Sequence, residues 1–145
     1  MIRWTERCRI GAPPPVVWAY RLDFRNLAAY NPDVSELRQV VGTGPGVGSR
    51  YEFRVKVGPA RIRSTLVVRE AIEPSSITVE IASAVAATEV CRFEPEAGGT
   101  GVTFETTVHV PGGALAVLAW PLVVPSGRRQ TRRELALMKR ALEAA

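Results

Sequence analysis

The sequence predicts an α+β fold in which a curved, seven-stranded antiparallel sheet wraps around a long C-terminal helix, with two short helices after strand 1. Seven segments alternate between apolar and polar side chains, the period of a strand with one buried face. Short turns rich in glycine and proline connect the last six segments, which implies antiparallel neighbours. Near the end, Thr131, Leu135, Met138 and Leu142 form a helical stripe that a twisted sheet can cover by curving around it.

The first strand and the two helices occupy the start of the chain. Apolar and polar residues alternate over 2–10, and Gly11 with the prolines at 13–15 ends this strand. A proline in the first turn of a helix costs no hydrogen bond, so helix is predicted from there until Asn31-Pro32-Asp33. The positions expected to face inward are Val16, Val17, Tyr20 and Leu27.

The middle of the chain is predicted to be almost entirely strand. Turn markers such as Gly58-Pro59 and Glu73-Pro74 separate six alternating segments. The predicted strands are 34–41, 49–57, 61–72, 76–83, 87–93 and 100–110. One face of the resulting sheet should be buried and the other wet.

The segment 114–124 is apolar on all sides and precedes the amphipathic helix. It is only eleven residues long and contains Pro121, whereas a bilayer span needs about 20 residues, so no membrane span is expected. The helical stripe starts at Ser126, and a kink near Pro125 is expected where the two segments meet.

Charge and composition exclude several classes of protein. Most of the net charge of +5 lies in 126–145, where six basic residues face two acidic ones. Neither aromatic residues nor a glycine-rich loop accompany them, so a solvated helix face is favoured over a nucleic-acid site. The 145 residues suit one domain over 1–145, and Cys8 and Cys91 are too few for a disulfide framework or a zinc site. The polar N-terminus lacks a secretory signal, which predicts a cytoplasmic location.

The inward faces of the strands carry mostly apolar side chains with a few polar groups, as expected of a small-molecule pocket. Large apolar residues are usually buried in any protein, so core packing is the alternative for the aromatic ones. Strand parity and the helix segment give the candidate ligand-binding residues as Trp4, Tyr30, Tyr51, Phe53, Ser64, Leu66, Val79, Cys91, Phe93, Phe104, Leu118 and Trp120.

Two carboxylates interrupt these apolar faces. Glu6 and Glu89 have inward parity, and an unpaired carboxylate in a dry core costs several kcal/mol. A strand bulge could turn either outward, a buried arginine could pair with it, or the interior could be wet. A glutamate that faces an apolar cavity would have a raised pKa and could act as a general acid or base, so both are catalytic candidates.

Other chemistry-bearing residues give weaker signals. His109 has outward parity, which favours a surface histidine. The glycine-rich segment 42–48 joins two strands and precedes no helix, so it lacks the helix N-terminus that binds phosphate and is expected to be a mobile loop. The sequence contains no nucleophile elbow, phosphate loop or metal-ligand spacing, and no cofactor is expected.

Four stretches together resemble one family. They are IGAPPPVVWAYRLDFRNLAAYNPDV, GVGSRYEF, FEPEAGGTGVTFE and LALMKRALE, and they occur over nearly the whole chain. The chain is similar to the START-like or Bet v 1-like superfamily (SRPBCC), in particular its bacterial polyketide cyclase/dehydrase group. The resemblance implies a helix-grip fold whose space between sheet and helix takes up hydrophobic molecules. Tyr30 stands where relatives often carry tryptophan.

Three functional hypotheses follow from these patterns. The leading one is a carrier, sensor or processing protein for a small hydrophobic molecule. The second is a polyketide aromatase/cyclase or dehydrase in which Glu6 or Glu89 is the base and Tyr51 or Ser64 the hydrogen-bond donor. The third is a non-catalytic interaction domain with a filled core. A homodimer is left open.

Overall fold

The part of the chain that the structure describes contains seven strands and three α-helices. The computed structural model describes residues 1–83, 85–109 and 114–145, with side chains of the last helix described from residue 124 onward. The elements are β1 (Ile2–Ile10), α1 (Pro14–Leu22), a 3₁₀ turn (Phe24–Asn26), α2 (Leu27–Tyr30), β2 (Val34–Val41), β3 (Arg50–Val57), β4 (Ala60–Ile72), β5 (Ser76–Ala82), β6 (Ala86–Glu96), β7 (Gly99–His109) and α3 (Ala114–Glu143).

The strands form a single antiparallel sheet in the order β1-β7-β6-β5-β4-β3-β2. Six of the seven follow chain order, and only β1 crosses over, to pair with β7. β6 continues to Glu96, beyond the predicted end at residue 93. The pairing of β6 with β5 ends at Arg92. Pro95 lies beyond that point, so its missing N–H removes no hydrogen bond between β6 and β5. The predicted α+β fold is confirmed.

The long helix α3 crosses the concave face of the sheet. Its stripe of Thr131, Leu135 and Met138 is buried, as the sequence predicted. Trp4 of β1 donates a hydrogen bond from Nε1 to Thr131 Oγ1 at 2.9 Å, and a Cβ at Gly127 would come within 2.5 Å of the Trp4 ring. Glycine at 127 therefore lets the helix approach β1 closely. The expected kink near Pro125 stays a prediction.

Helix α1 turns a different face inward from the one predicted. Val17 is buried and Tyr20 half-buried, but Val16 is 50% exposed, so the prediction for Val16 is wrong. Helical spacing from Pro14 puts Val17, Trp18, Arg21 and Leu22 on the buried side, and Val16 lies outside that set. The buried face of α1 therefore places Arg21 against the sheet.

Two apolar clusters lie between the sheet and the helices. The larger contains side chains from every strand and from α1, α2 and α3. The smaller contains Ile2, Trp4 and Val108, with Val124 of α3 packed against it. Polar side chains lie beside both clusters at the middle of the concave face, and they form the candidate site.

Candidate functional site

Arg21 is the central group of this site. It reaches the sheet from the last turn of α1, is 2% exposed, and forms an ion pair with Glu89 of β6. Its guanidinium carbon lies 4.5 Å from the ring centroid of Phe104, 4.9 Å from that of Phe24 and 5.3 Å from that of Tyr30. These rings attract the cation through their negative faces while they exclude water from it. A charged pair is thus held inside an aromatic enclosure.

A second buried carboxylate, Glu134 of α3, lies near this ion pair. Asn31, which follows α2, donates a hydrogen bond from Nδ2 to Glu134 Oε1 at 2.8 Å. Burial raises the pKa of Glu134 to about 7 and the Glu89 charge contributes to this, while Arg21 and Asn31 act in the opposite direction. Glu134 can therefore exchange a proton near neutral pH.

The neighbours of the carboxylates keep fixed charge states. Burial acts to lower the pKa of Arg21, but Tyr30, Glu89, Cys91 and Glu134 together raise it, so the guanidinium stays charged. Burial raises the pKa of the Tyr30 phenol, which stays neutral. Burial also raises the pKa of the Cys91 thiol, which removes its thiolate and with it nucleophilic reactivity at neutral pH. Glu134 is thus the group of this site whose pKa lies near neutrality.

Several buried polar atoms of the site form no hydrogen bond with the described part of the chain. They are Nε and Nη1 of Arg21, the Tyr30 hydroxyl and the Thr106 hydroxyl. The Tyr51 hydroxyl is another, on a ring whose centroid lies 5.8 Å from that of Phe24. Thr106 is the cross-strand partner of Glu89, which brings its hydroxyl beside the ion pair. Nearly all buried polar groups in proteins are paired, so a group of orphaned donors marks a place where a further oxygen atom can be bound.

The two carboxylates with inward parity are both paired with arginine, one of the three explanations that the sequence left open. Glu89 joins the central site. Glu6 lies at the helix–sheet contact, where Arg132 Nε donates to its Oε1 at 3.0 Å and Arg128 Nη1 lies 3.4 Å from the same oxygen. The structure therefore separates the two catalytic candidates.

The candidate ligand-binding residues fall into four groups. Tyr30 and Phe104 touch Arg21, while Trp4 belongs to the smaller cluster. Leu118 and Trp120 lie outside the described side chains. The rest are buried in the larger cluster or beside it: Tyr51, Phe53, Ser64, Leu66, Val79, Cys91 and Phe93. Whether they contact a ligand stays a prediction.

Arg21, Asn31 and Glu134 were not predicted from the sequence as residues of the site. Arg21 and Glu134 are charged residues on amphipathic helices, where solvent exposure is the usual state. A signal existed for Arg21, because a helix that begins at Pro14 places it on the face of Val17 and Leu22. A signal also existed for Glu134, which stands three residues after Thr131 and four before Met138 on the buried stripe, although its neighbours Arg132 and Arg133 are exposed.

Outside this site, the described residues offer little chemistry. His109 is exposed and its Nε2 lies 3.3 Å from Thr88 Oγ1, in agreement with a surface histidine. In the described ranges, histidine, cysteine and carboxylate side chains form no cluster that could hold a metal ion. Among the described residues, no helix has the length and apolar character needed to cross a bilayer.

Comparisons with known proteins agree with this architecture. The family model "Polyketide cyclase / dehydrase and lipid transport" matches residues 1–143. The crystal structure of TTHA0849 from Thermus thermophilus superposes with a TM-score of 0.81 at 18% identity, covering 99% of this chain and 98% of that one. The Zhui aromatase/cyclase from Streptomyces sp. R1128 gives 0.80 at 13% identity, covering 98% and 93%.

Ara h 8.0201 has the same fold, with a TM-score of 0.76 at 13% identity over 99% of each chain. A search of curated protein sequences found no match. The structural likenesses are below 25% identity and establish the fold, whereas the family model covers almost the whole sequence. The chain therefore belongs to the polyketide cyclase/dehydrase and lipid transport family.

Proposed function

We propose that this protein binds a small, mostly apolar molecule between the sheet and α3, and that a polar oxygen of this molecule is bound at the Arg21 site. The observation that carries the proposal is the group of orphaned buried donors on Arg21, Tyr30 and Thr106 inside an apolar cluster. An unsatisfied buried polar group costs about 1–3 kcal/mol, and a ligand oxygen that accepts these hydrogen bonds would recover that energy. The family description, which names lipid transport, supports the same class of ligand.

Apolar contact alone would give weak binding. A ligand that buries about 400 Å² of apolar surface gains about 10 kcal/mol, and association costs at least about 4 kcal/mol. The remainder of about 6 kcal/mol corresponds to a dissociation constant weaker than micromolar. We therefore propose that the apolar lining, with Tyr51, Phe93 and Phe104 as contacts, supplies this weak binding and that hydrogen bonds to the polar groups add affinity and selectivity.

A matched pair of ligands tests this division. Naphthalene and 2-naphthol differ by one hydroxyl, so calorimetry should show tighter binding of 2-naphthol to the wild-type protein. Replacing two hydroxyls, in the Tyr30→Phe/Thr106→Val variant, should reduce the preference, because only Arg21 can then donate to the ligand oxygen, and should leave naphthalene binding intact. Tyr20→Phe is the control, because Tyr20 is half-buried and its ring lies 6.0 Å from that of Tyr30. If neither ligand binds, or if the variant keeps the full preference, the proposal fails.

A second candidate function is acid–base catalysis on a ketone-bearing chain, as in the aromatase/cyclase class named among the structural neighbours. The specific observation in its favour is the pKa of about 7 at Glu134, the value expected of a general base at neutral pH. In this scheme the Glu134 carboxylate takes a proton from the carbon next to a carbonyl, and the electron pair moves onto the carbonyl oxygen. Arg21 and Tyr30 would stabilise the enolate oxygen that forms.

Solvent deuterium exchange tests the proton transfer without knowledge of the natural substrate. We expect the protein to accelerate exchange of the methyl protons of 2-acetonaphthone, as followed by NMR. Glu134→Gln should abolish the acceleration, and Glu6→Gln, on a carboxylate outside the site, should retain it. A Glu89→Gln variant with full exchange would remove Glu89 as the base. Absence of exchange in the wild type would remove this candidate function and leave ligand binding standing.

We also propose, from the sequence, one domain over residues 1–145 and a cytoplasmic location, with a homodimer left open. Light scattering on the purified protein distinguishes monomer from dimer, and localisation of a tagged chain in its host checks the compartment.

A further inference from the structure

The hairpin of β3 and β4 carries like charges directly opposite each other on its outer face. The strand register pairs Arg54 with Arg63 and Lys56 with Arg61. Tyr51 and Phe53 of β3 point inward, so the even-numbered residues of this strand point away from α3. Like charges opposite each other across two strands destabilise a sheet. The fold therefore gives no reason for these four cations to be neighbours.

Several arginines elsewhere on the sheet are paired with carboxylates. Examples are Arg69 with Glu80, Arg92 with Glu105, and Arg7 with Glu96. In the hairpin, Arg54 contacts Glu36 at 2.8 Å. The side chains of Lys56, Arg61 and Arg63 are exposed and have no hydrogen-bond or ion-pair partner in the described part of the chain. Three cations are thus free to bind an external anion.

The tip of the same hairpin is uncharged. Val57, Gly58, Pro59 and Ala60 are all exposed, and Val57 is 54% exposed at the point where β3 ends. An exposed apolar tip with cations immediately behind it is the arrangement by which proteins bind at membrane interfaces, where apolar atoms enter the headgroup boundary and cations bind anionic lipids. An acidic protein surface would satisfy the cations but would give the uncharged tip no partner.

We propose that the β3–β4 hairpin docks this protein on a membrane surface that carries anionic lipid headgroups. The tip enters the interface, and Lys56, Arg61 and Arg63 contact the headgroups. The hairpin turn lies at the end of the sheet where β5 ends and β6 begins. This surface is separate from the Arg21 site, so the two proposals stand or fall independently.

Vesicle flotation tests the docking surface. The wild type should float with phosphatidylcholine vesicles that contain phosphatidylglycerol, and binding should weaken at high ionic strength because the contacts are exposed charges. Each cation near a membrane contributes about fivefold to partitioning, so Arg61→Ala/Arg63→Ala should reduce it about 30-fold. Arg129→Ala/Arg140→Ala is the matched control, because both residues are exposed on α3 and the loss of net charge is the same.

Three results would overturn the proposal. One is equal binding to vesicles of phosphatidylcholine alone, and another is an equal loss of binding in both double variants, which would indicate net charge rather than a site. The third is binding to polyglutamate in place of vesicles. The Arg61→Ala/Arg63→Ala variant should unfold at or above the wild-type temperature because it relieves cross-strand repulsion, so loss of docking cannot be attributed to loss of fold.

Discussion

Arg21 and Arg63 lie on opposite faces of the same sheet, and their environments differ in burial and in pairing. Arg21 is buried, ion-paired with Glu89 and surrounded by aromatic rings. Arg63 is exposed, and its cross-strand neighbour is another arginine. A buried charge must be compensated within the protein, whereas an exposed charge can remain unpaired because water solvates it. Inner charges therefore contribute to folding, and the unpaired outer ones are available for external partners.

The largest effect is expected when Arg21, the buried cation, is replaced. Arg21→Met leaves Glu89 and Glu134 buried without their cation, and breaking a buried pair in this way costs about 3–5 kcal/mol. Urea denaturation should show a loss of that size. Arg21→Met/Glu89→Leu should recover part of it, since both charges are then gone. A loss below about 1 kcal/mol would mean that the pair is solvated.

The pH dependence of stability should report Glu134. Its pKa is raised from 4.5 to about 7 in the folded protein, so between these values the folded state binds the proton more strongly than the unfolded state. Glu134 therefore contributes about 3 kcal/mol to the free energy of unfolding below about pH 4.5. This contribution decreases as the pH rises from 4.5 through about 7.

Denaturation at pH 5 and pH 8 measures this change. Glu134→Gln should flatten the curve, because the amide does not titrate and its oxygen can still accept the hydrogen bond from Asn31. An unchanged pH profile in Glu134→Gln would assign the titration to another group.

A smaller effect is expected at Glu6, which lies between the two environments. The side chains of its partners Arg128 and Arg132 are 44% and 63% exposed, so Glu6→Gln leaves charges that water can solvate. The free energy of unfolding should fall by about 1 kcal/mol or less, and the loss should shrink in high salt. A loss comparable to that of Arg21→Met would show that Glu6 is buried in solution.

The smallest effect should have the opposite sign. Arg63→Glu turns the repulsive pair with Arg54 into an attractive one, which should stabilise the protein by about 0.2–1 kcal/mol. Thermal unfolding measures it, with Arg129→Glu on α3 as the control for net charge. A destabilised Arg63→Glu variant would mean that Arg63 has a structural role.

The strands and the faces that they bury were the most predictable part of the protein. Alternation alone put Tyr51 and Phe93 on the buried face, because a period of two survives in any half-buried strand. The helices were less predictable. Val16 was assigned to the wrong face and Arg21 was given no inward position, since a short helix tolerates several phases and apolar character does not choose among them. The candidate site combines side chains from strands and helices, so only part of it was predicted from the sequence.

By itself, the sequence determined the seven strands, the antiparallel turns between the last six, the buried stripe of α3 and the inward parity of Glu89, because these depend on local periodicity and chain connectivity. Only the tertiary structure decided which charges meet. Arg21 and Glu89 are far apart in the chain, and Glu134 joins them from a third element. Electrostatic energy depends on distances and burial in space, which residue spacing along the chain does not encode.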